Sequence, residues 1–113
     1  MIKIYHNPRC KKSREGLEYL KKKVSEVTII DYLKCGLKKE DLKEILLKSN
    51  LPVESLIRNK EEYFKKELKN RKFNEDEWIK IIIENPKLLK RPVVVTKTKA
   101  ALGQPVENIN KII

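Results

Sequence analysis

The first thirty residues run from a short apolar segment through an amphipathic one to a second apolar segment, and this order constrains the fold most. Residues 2–5 predict a strand, which Asn7-Pro8 ends. Residues 11–23 predict a helix, because apolar side chains recur there at spacings of three and four. Residues 27–30 predict a second strand, apolar enough for the interior of a sheet. A strand–helix–strand unit predicts parallel strands joined by a right-handed crossover.

The middle of the chain predicts helices. Apolar residues at helical spacing in 42–46 predict one helix, and Pro52 starts a second, shorter one. Asn74 is a good N-cap residue, and Glu77, three positions later, completes the pattern of a capping box. Trp78 follows within that helix, where we expect it to anchor the core.

The last third predicts a hairpin and a closing helix. Residues 92–96 and 99–102 predict antiparallel strands, and Gly103-Gln104-Pro105 opens the helix. The order strand, helix, strand, helical insertion, hairpin, helix predicts a thioredoxin-like α/β fold with helices on both faces of the sheet. We expect residues 1–113 to form a single domain. The residues expected to point inward from the closing helix are Val106, Ile109, Ile112 and Ile113.

The chain is strongly basic, with 27 Lys and Arg against 16 Asp and Glu in 113 residues, and a net charge of +11. Residues 9–23 and 86–99 each carry an excess of five positive charges. Either the lysines are solvated surface with no specific partner, or a basic face serves nucleic acid, an acidic partner or a small anion. Direct nucleic-acid binding is disfavoured, because the chain has neither zinc-finger spacing nor an aromatic-rich strand.

Several other classes are excluded by composition. No apolar run approaches the roughly 18 residues that a membrane span needs. The opening residues lack the apolar stretch of a signal peptide, so we expect a cytoplasmic protein. The two cysteines, 25 positions apart, predict neither a metal site nor a disulfide scaffold.

Cys10 is the strongest candidate for chemistry, because it lies where the first strand passes into the first helix. The unpaired N–H groups and the positive end of the helix dipole lower the pKa of a thiol there, and they also bind oxyanions. We expect the Ser13 hydroxyl to donate a hydrogen bond to the thiol. Cys35 has no such surroundings and is either a bystander or a resolving thiol. Positive charge near Cys10 comes from Arg9, Lys11, Lys12 and Arg14.

Three segments carry a resemblance to a known family. Residues 4–14, Ile-Tyr-His-Asn-Pro-Arg-Cys-Lys-Lys-Ser-Arg, resemble the active-site loop of glutaredoxin-coupled arsenate reductases. Residues 56–58 and 89–96 are similar to the two arginine motifs of that family. The motifs occur in the same order, and the resemblance extends along essentially the whole chain.

The resemblance implies an activity and its participants. Cys10 would attack arsenate and form an arsenic–thiol adduct, which glutathione displaces. Glutaredoxin would then resolve the mixed disulfide, and arsenite would be released. Arg58 and Arg91 would hold the oxyanion, a task that suits the charged guanidinium fork; the alternative for each is an ordinary ion pair. Glutathione is thus a co-substrate, and no bound cofactor or metal is implied.

The resemblance also implies supporting residues. Pro92 matches the cis-proline of the thioredoxin fold. His6 either helps to stabilise the thiolate or is merely structural. Ser13 and Arg14 belong to the cysteine loop.

One position departs from the family pattern. Gln104 stands where such reductases carry a third arginine before a proline, so one of three anion-neutralising charges is missing. We expect Arg9 or Lys99 to be the residues able to replace it.

Two alternatives to arsenate reduction stay open. One is a related glutathione-dependent thiol reductase without arsenate activity. The other is an Spx-type transcription regulator that contacts RNA polymerase. The monothiol sequence Cys10-Lys-Lys-Ser13 disfavours the regulator, because the redox switch of that group is usually Cys-x-x-Cys.

Overall fold

A four-stranded mixed sheet forms the centre of the computed structural model, which describes residues 2–113; Met1 lies outside the described residues. The strand order is β2-β1-β3-β4. The first two strands are parallel, as the opening unit predicted, and the other pairs are antiparallel. The strands are β1 (Lys3–His6), β2 (Thr28–Asp31), β3 (Val93–Val95) and β4 (Ala100–Leu102).

The second strand does not lie inside the sheet, so that prediction is wrong. In the part of the chain that the structure describes, β2 pairs only with β1, and β1 takes β3 as its other neighbour, which leaves β2 at the edge. The Ile29 side chain is 45% exposed as a result. An apolar run indicates a strand, but the order of strands depends on pairing with residues far along the chain.

Helical segments fill the sequence between and after the strands. None of the helices within residues 2–113 has both the length and the apolar character needed to cross a membrane. One π-helical turn covers Phe64–Leu68, and 3₁₀ turns cover Val53–Leu56 and Pro86–Leu88. The α-helices are α1 (Lys11–Lys23), α2 (Tyr32–Cys35), α3 (Lys39–Ser49), α4 (Glu75–Glu84) and α5 (Glu107–Asn110).

The predicted capping box at the start of α4 is confirmed. The Glu77 N–H donates to Asn74 Oδ1 at 2.8 Å, and the Asn74 N–H donates to Glu77 Oε1 at 2.9 Å. Trp78 is buried, with the Phe73 ring edge-on at 4.8 Å between centroids. Local polar signals therefore fixed where this helix begins, and its apolar face fixed how it packs.

The closing helix is shorter than the apolar pattern suggested. Only Ile109 of its four predicted inward residues is fully buried, and Ile113 is 41% exposed, which corrects the prediction for that residue. Ile109 fills the space against the sheet, and α5 ends one residue later, so the final isoleucine gains no place in the core.

Both faces of the sheet are covered, which confirms the thioredoxin-like fold with a helical insertion between β2 and β3. On one face, Ile4 and Val94 pack with Leu20 of α1 and Ile109 of α5. On the opposite face lies the larger cluster, which the helical insertion supplies together with alternate residues of β1 and β3. Because side chains alternate across a strand, one short sheet supports two separate cores.

Candidate active site

Cys10 lies in the turn that joins β1 to α1. Its N–H donates to the Asn7 carbonyl at 3.0 Å, and its own carbonyl accepts the Arg14 N–H at 3.0 Å. The backbone is extended at Cys10, with φ −94° and ψ 124°, and becomes helical at the next residue. The thiol therefore occupies the N-cap position of a 13-residue helix, at the positive end of its dipole.

The surroundings of the thiol act in opposite directions on its pKa. Partial burial of Cys10 works to raise the pKa, because it disfavours the charged form. The backbone N–H of Ser13, the guanidinium of Arg91 and the backbone N–H of Lys12 work to lower it and together outweigh burial. The pKa of Cys10 therefore lies below the usual value, in the direction that the helix N-terminus predicted.

The Ser13 side chain has a different partner from the one expected. Its hydroxyl is fully buried, accepts the Asn7 N–H at 2.9 Å and contacts His6 Nδ1 at 2.7 Å. The hydroxyl thus braces the loop, and the hydrogen bond toward the thiol comes from the Ser13 backbone instead. Burial lowers the pKa of His6, so its ring is uncharged at neutral pH and supplies no positive charge to the thiolate.

Arg9 and Arg14, two other cations of the cysteine loop, do not line the cleft at Cys10, whereas Lys12 does. Arg14 Nη1 donates to the Pro8 carbonyl at 3.0 Å and closes the loop. Arg9 lines a separate cavity with Asp31 and Lys34. Lys99 lies in the hairpin turn, where its N–H donates to Thr96 Oγ1 at 3.0 Å. Neither Arg9 nor Lys99 lines the cleft at Cys10, so neither replaces the missing arginine charge.

Cys10 opens into a cleft of about 340 Å³ between the cysteine loop and the segment before β3. Five of its nine lining residues are Lys or Arg, and none is acidic. No sequence pattern indicated Asn59, Lys60 or Lys90, because nothing distinguishes them from the many other polar residues of the chain. The lining residues are Cys10, Lys12, Arg58, Asn59, Lys60, Lys90, Arg91, Leu102 and Gln104.

Arg58 and Arg91 reach the same cleft because their backbone segments pair. Ile57 and Leu89 form an isolated antiparallel bridge. The Arg58 N–H donates to the Leu88 carbonyl at 2.7 Å, and the Lys90 N–H donates to the Leu56 carbonyl at 2.8 Å. This pairing joins two segments far apart in sequence, and no local pattern indicated it.

The two guanidinium groups share one backbone acceptor. Nη1 of Arg58 and Nη1 of Arg91 each lie 3.4 Å from the Lys87 carbonyl oxygen. Arg58 Nη1 also pairs with the carboxylate of Glu61, so the ion pair considered as an alternative is present. Arg91 Nε is buried and has no hydrogen-bond partner among residues 2–113.

Tyr32 is a buried neighbour of Arg91 that no sequence pattern indicated. Its hydroxyl donates to the Leu89 carbonyl at 3.4 Å, and its side chain is fully enclosed. Burial raises the pKa of Tyr32 to about 12, with the nearby Arg91 charge acting in the opposite direction. The phenol is therefore protonated at neutral pH and offers Arg91 a neutral neighbour.

Pro92 connects the arginine segment to the cysteine helix. The Arg91-Pro92 peptide bond is cis, as the family position implies, and so is Gln104-Pro105. The Pro92 ring lies between two glycines, because a Cβ at Gly16 would lie 2.5 Å from its Cγ and one at Gly103 would lie 2.6 Å from it. The Gly103 N–H also donates to the Pro92 carbonyl at 2.7 Å. These close approaches hold α1, β3 and the Gln104 loop together.

Gln104 lies in the cleft at the position where a third arginine was expected. Its Nε2 donates to the Lys12 carbonyl at 3.3 Å. The amide therefore ties the end of β4 to the first turn of α1, and it adds no charge.

Cys35 lies apart from this arrangement. It is the last residue of α2 and is exposed, with Sγ 3.5 Å from the Gly36 carbonyl oxygen. It is not among the residues that line the cleft.

Comparison with known proteins places the chain in a family. The ArsC family matches residues 5–112. The uncharacterized protein YfgD of Escherichia coli strain K12 is 37% identical over 99% of this chain and 96% of its own length. An arsenate reductase of Neisseria meningitidis serogroup A is 36% identical over 99% of this chain and 97% of its own length. The solved structure of an arsenate reductase from Vibrio cholerae, 35% identical, covers 99% of this chain and 97% of its own with a TM-score of 0.92. This chain therefore belongs to the ArsC family.

Proposed function

We propose that this protein is an oxidoreductase that converts arsenate to arsenite, with Cys10 as the nucleophile. The observation that carries the proposal is a thiol of lowered pKa at a helix N-terminus, open to a cleft with five cationic side chains and no acidic one. Such a cleft favours a small oxyanion over a neutral or cationic substrate. The relatives named arsenate reductase, about 35% identical along nearly all of this chain, support the same substrate.

In this proposal, charged side chains bind the substrate, and backbone N–H groups stabilise the attacking thiolate. Arg58 and Arg91 neutralise the arsenate oxygens, and their planar forks suit a tetrahedral oxyanion. The N–H groups of Lys12 and Ser13 at the start of α1 stabilise the thiolate before attack. Because all these donors are in place without substrate, little reorganisation is needed when charge develops on the oxyanion.

The proposed reaction balances as a two-electron transfer. The Cys10 thiolate attacks arsenic, forms a sulfur–arsenic bond, and displaces one oxygen as water after protonation. A glutathione thiolate then attacks the Cys10 sulfur, and the electron pair of the sulfur–arsenic bond leaves with arsenic as arsenite. Two thiolates have become a mixed disulfide while As(V) has become As(III). A glutaredoxin thiol takes up the glutathione and returns Cys10 to the reduced form.

Gln104 lowers the expected efficiency of the reaction. The loss of one donor from an oxyanion site costs about 2–4 kcal/mol of transition-state stabilisation. Lys12, Lys60 and Lys90 supply cleft charge in other positions, but an ammonium group does not offer the two parallel hydrogen bonds of a guanidinium. A thiol reductase without arsenate activity is therefore the alternative that the test must separate.

The test is arsenite formation with arsenate, glutathione and glutaredoxin for the wild type, Cys10→Ser and Gln104→Arg. We expect turnover by the wild type, none by Cys10→Ser, and a kcat/KM about 30- to 1,000-fold higher for Gln104→Arg, which corresponds to about 2–4 kcal/mol. Arg71→Gln, on an exposed arginine outside the cleft, controls for a general change of charge.

Turnover by Gln104→Arg alone would mean that the natural chain does not reduce arsenate. If neither protein forms arsenite, and the wild type retains RNA polymerase in a pull-down, the result would favour the transcription regulator instead.

A further inference from the structure

Arg58 carries a carboxylate on the side away from the cleft. Glu61 pairs with Arg58 Nη1, and the two side chains are only 26% and 30% exposed. Glu61 does not line the Cys10 cleft; it lines a neighbouring cavity of about 270 Å³ with Lys87 and Leu88. The carboxylate therefore approaches the guanidinium from behind, and it leaves the cleft side open.

The Lys87 carbonyl restrains the same nitrogen. Arg58 Nη1 lies 3.4 Å from that oxygen, as does Nη1 of Arg91. A guanidinium has five N–H donors in a rigid plane, so two acceptors at one terminal nitrogen orient the whole fork. The hydrogen bonds that the Arg58 side chain makes within residues 2–113 are at Nη1, so the donors on Nη2 and Nε stay available to an anion.

We propose that Glu61 is a positioning residue, which holds Arg58 against the Lys87 carbonyl so that Arg58 and Arg91 face the oxyanion as one preformed pair. The inference rests on the proposed function. It assigns Glu61 no contact with substrate. Its contribution is to fix the arginine before binding, so that the anion does not have to order a long, flexible side chain.

The sign of the effect separates this role from simple electrostatics. A carboxylate near an anion site repels the anion, so loss of charge alone would strengthen binding. Loss of a positioning contact would weaken it. Glu62 provides the matched control, because it is the next residue, carries the same charge, and, within residues 2–113, pairs only with Lys66, at 3.7 Å on the exposed surface.

The experiment is calorimetric titration of the wild type, Glu61→Gln and Glu62→Gln with inorganic phosphate, which does not react with the thiol. We expect Glu61→Gln to raise the Kd for phosphate about 5- to 10-fold, and Glu62→Gln to change it less than 2-fold. The pH profile of Cys10 alkylation should stay unchanged in Glu61→Gln, because the groups that lower the pKa of the thiol are the Ser13 and Lys12 N–H groups and the Arg91 guanidinium. Unchanged or tighter phosphate binding by Glu61→Gln would overturn the role.

A second measurement needs no ligand. The guanidinium nitrogen resonances of Arg58 should show restricted rotation in the wild type and Glu62→Gln, and free rotation in Glu61→Gln. Equal mobility in all three proteins would contradict the role even if arsenate is reduced. The wild type could also show a restrained Arg58 and yet bind neither phosphate nor arsenate. That result would contradict the proposed function, and the positioning role would fall with it.

Discussion

Cys10 and Cys35 are the same residue in opposite environments. Cys10 begins a 13-residue helix, is half-buried, and faces backbone N–H groups and Arg91. Cys35 ends a four-residue helix, is exposed, and lies beside the carbonyl oxygen of Gly36. The first end of a helix offers partial positive charge and the last offers partial negative charge. The position in the fold, and not the residue type, therefore distinguishes Cys10 as the candidate nucleophile.

The largest expected difference between the two cysteines is in turnover. Cys10→Ser should reduce arsenate turnover at least about 10³-fold, because a hydroxyl at neutral pH does not replace a thiolate nucleophile. Cys35→Ser should retain wild-type turnover within about 2-fold, measured as arsenite formed with glutathione and glutaredoxin. A large loss in Cys35→Ser would identify Cys35 as a resolving thiol.

Substitution of the glycine near each cysteine should lower the free energy of unfolding by different amounts. Gly16→Ala places a methyl group against the buried Pro92 ring, so overpacking of about 3 kcal/mol should exceed the helix-propensity gain of about 1 kcal/mol. Gly36→Ala meets open space, but φ is +83°, which costs an alanine about 1 kcal/mol. Urea unfolding should show the larger loss for Gly16→Ala. Equal losses would mean that Pro92 moves freely to make room.

Removal of Arg91 should bring the pKa of Cys10 closer to that of an ordinary thiol. In a Cys35→Ser background, Arg91→Met should raise the pKa of Cys10 and slow iodoacetamide alkylation at pH 6–7 by about 3- to 10-fold. The rate should be followed against pH. Arg71→Met, which removes an exposed arginine stacked on Phe73, is the control and should leave the profile unchanged. If the two variants gave the same alkylation rate at every pH, Arg91 would not contribute to the lowered pKa of Cys10.

The smallest expected effect is on the pH dependence of stability. The folded-state pKa of Cys10 is below its unfolded value, so between the two pKa values the folded state binds fewer protons. The thiolate contribution is therefore complete above the unfolded pKa, about 8.5, and is lost as pH falls through the folded pKa. The Tm of Cys35→Ser minus that of the Cys10→Ser/Cys35→Ser double variant should increase from pH 5 to pH 9. A flat difference would contradict the lowered pKa.

Local signals predicted the elements that depend on neighbours in sequence. The helix after Cys10 and the capping box at Asn74 were predictable because their determinants lie within a few residues. The edge position of β2 was not, because it depends on β3 inserting beside β1 from the far end of the chain. The direction of the Ser13 hydroxyl also escaped prediction, since it is set by the return of the loop onto His6.

The residues of the candidate site also differ in whether a local sequence pattern predicts them. Cys10 could be found from its place before a helix, and the two arginines from their motifs. Lys60 and Lys90 could not, because 22 of the 27 cations are lysines and none is distinctive in sequence. The bridge between Ile57 and Leu89, which brings the arginines together, is a long-range pairing with no local pattern.

The purely cationic lining of the cleft has a consequence for selectivity. Phosphate and arsenate have the same charge and the same tetrahedral shape, so a cleft that binds by positive charge accepts both. Under the proposed function, discrimination must come after binding, when arsenic accepts the Cys10 sulfur and an electron pair and phosphorus does not. Phosphate is then a competitive inhibitor by necessity, and the enzyme chooses its substrate by reactivity instead of affinity.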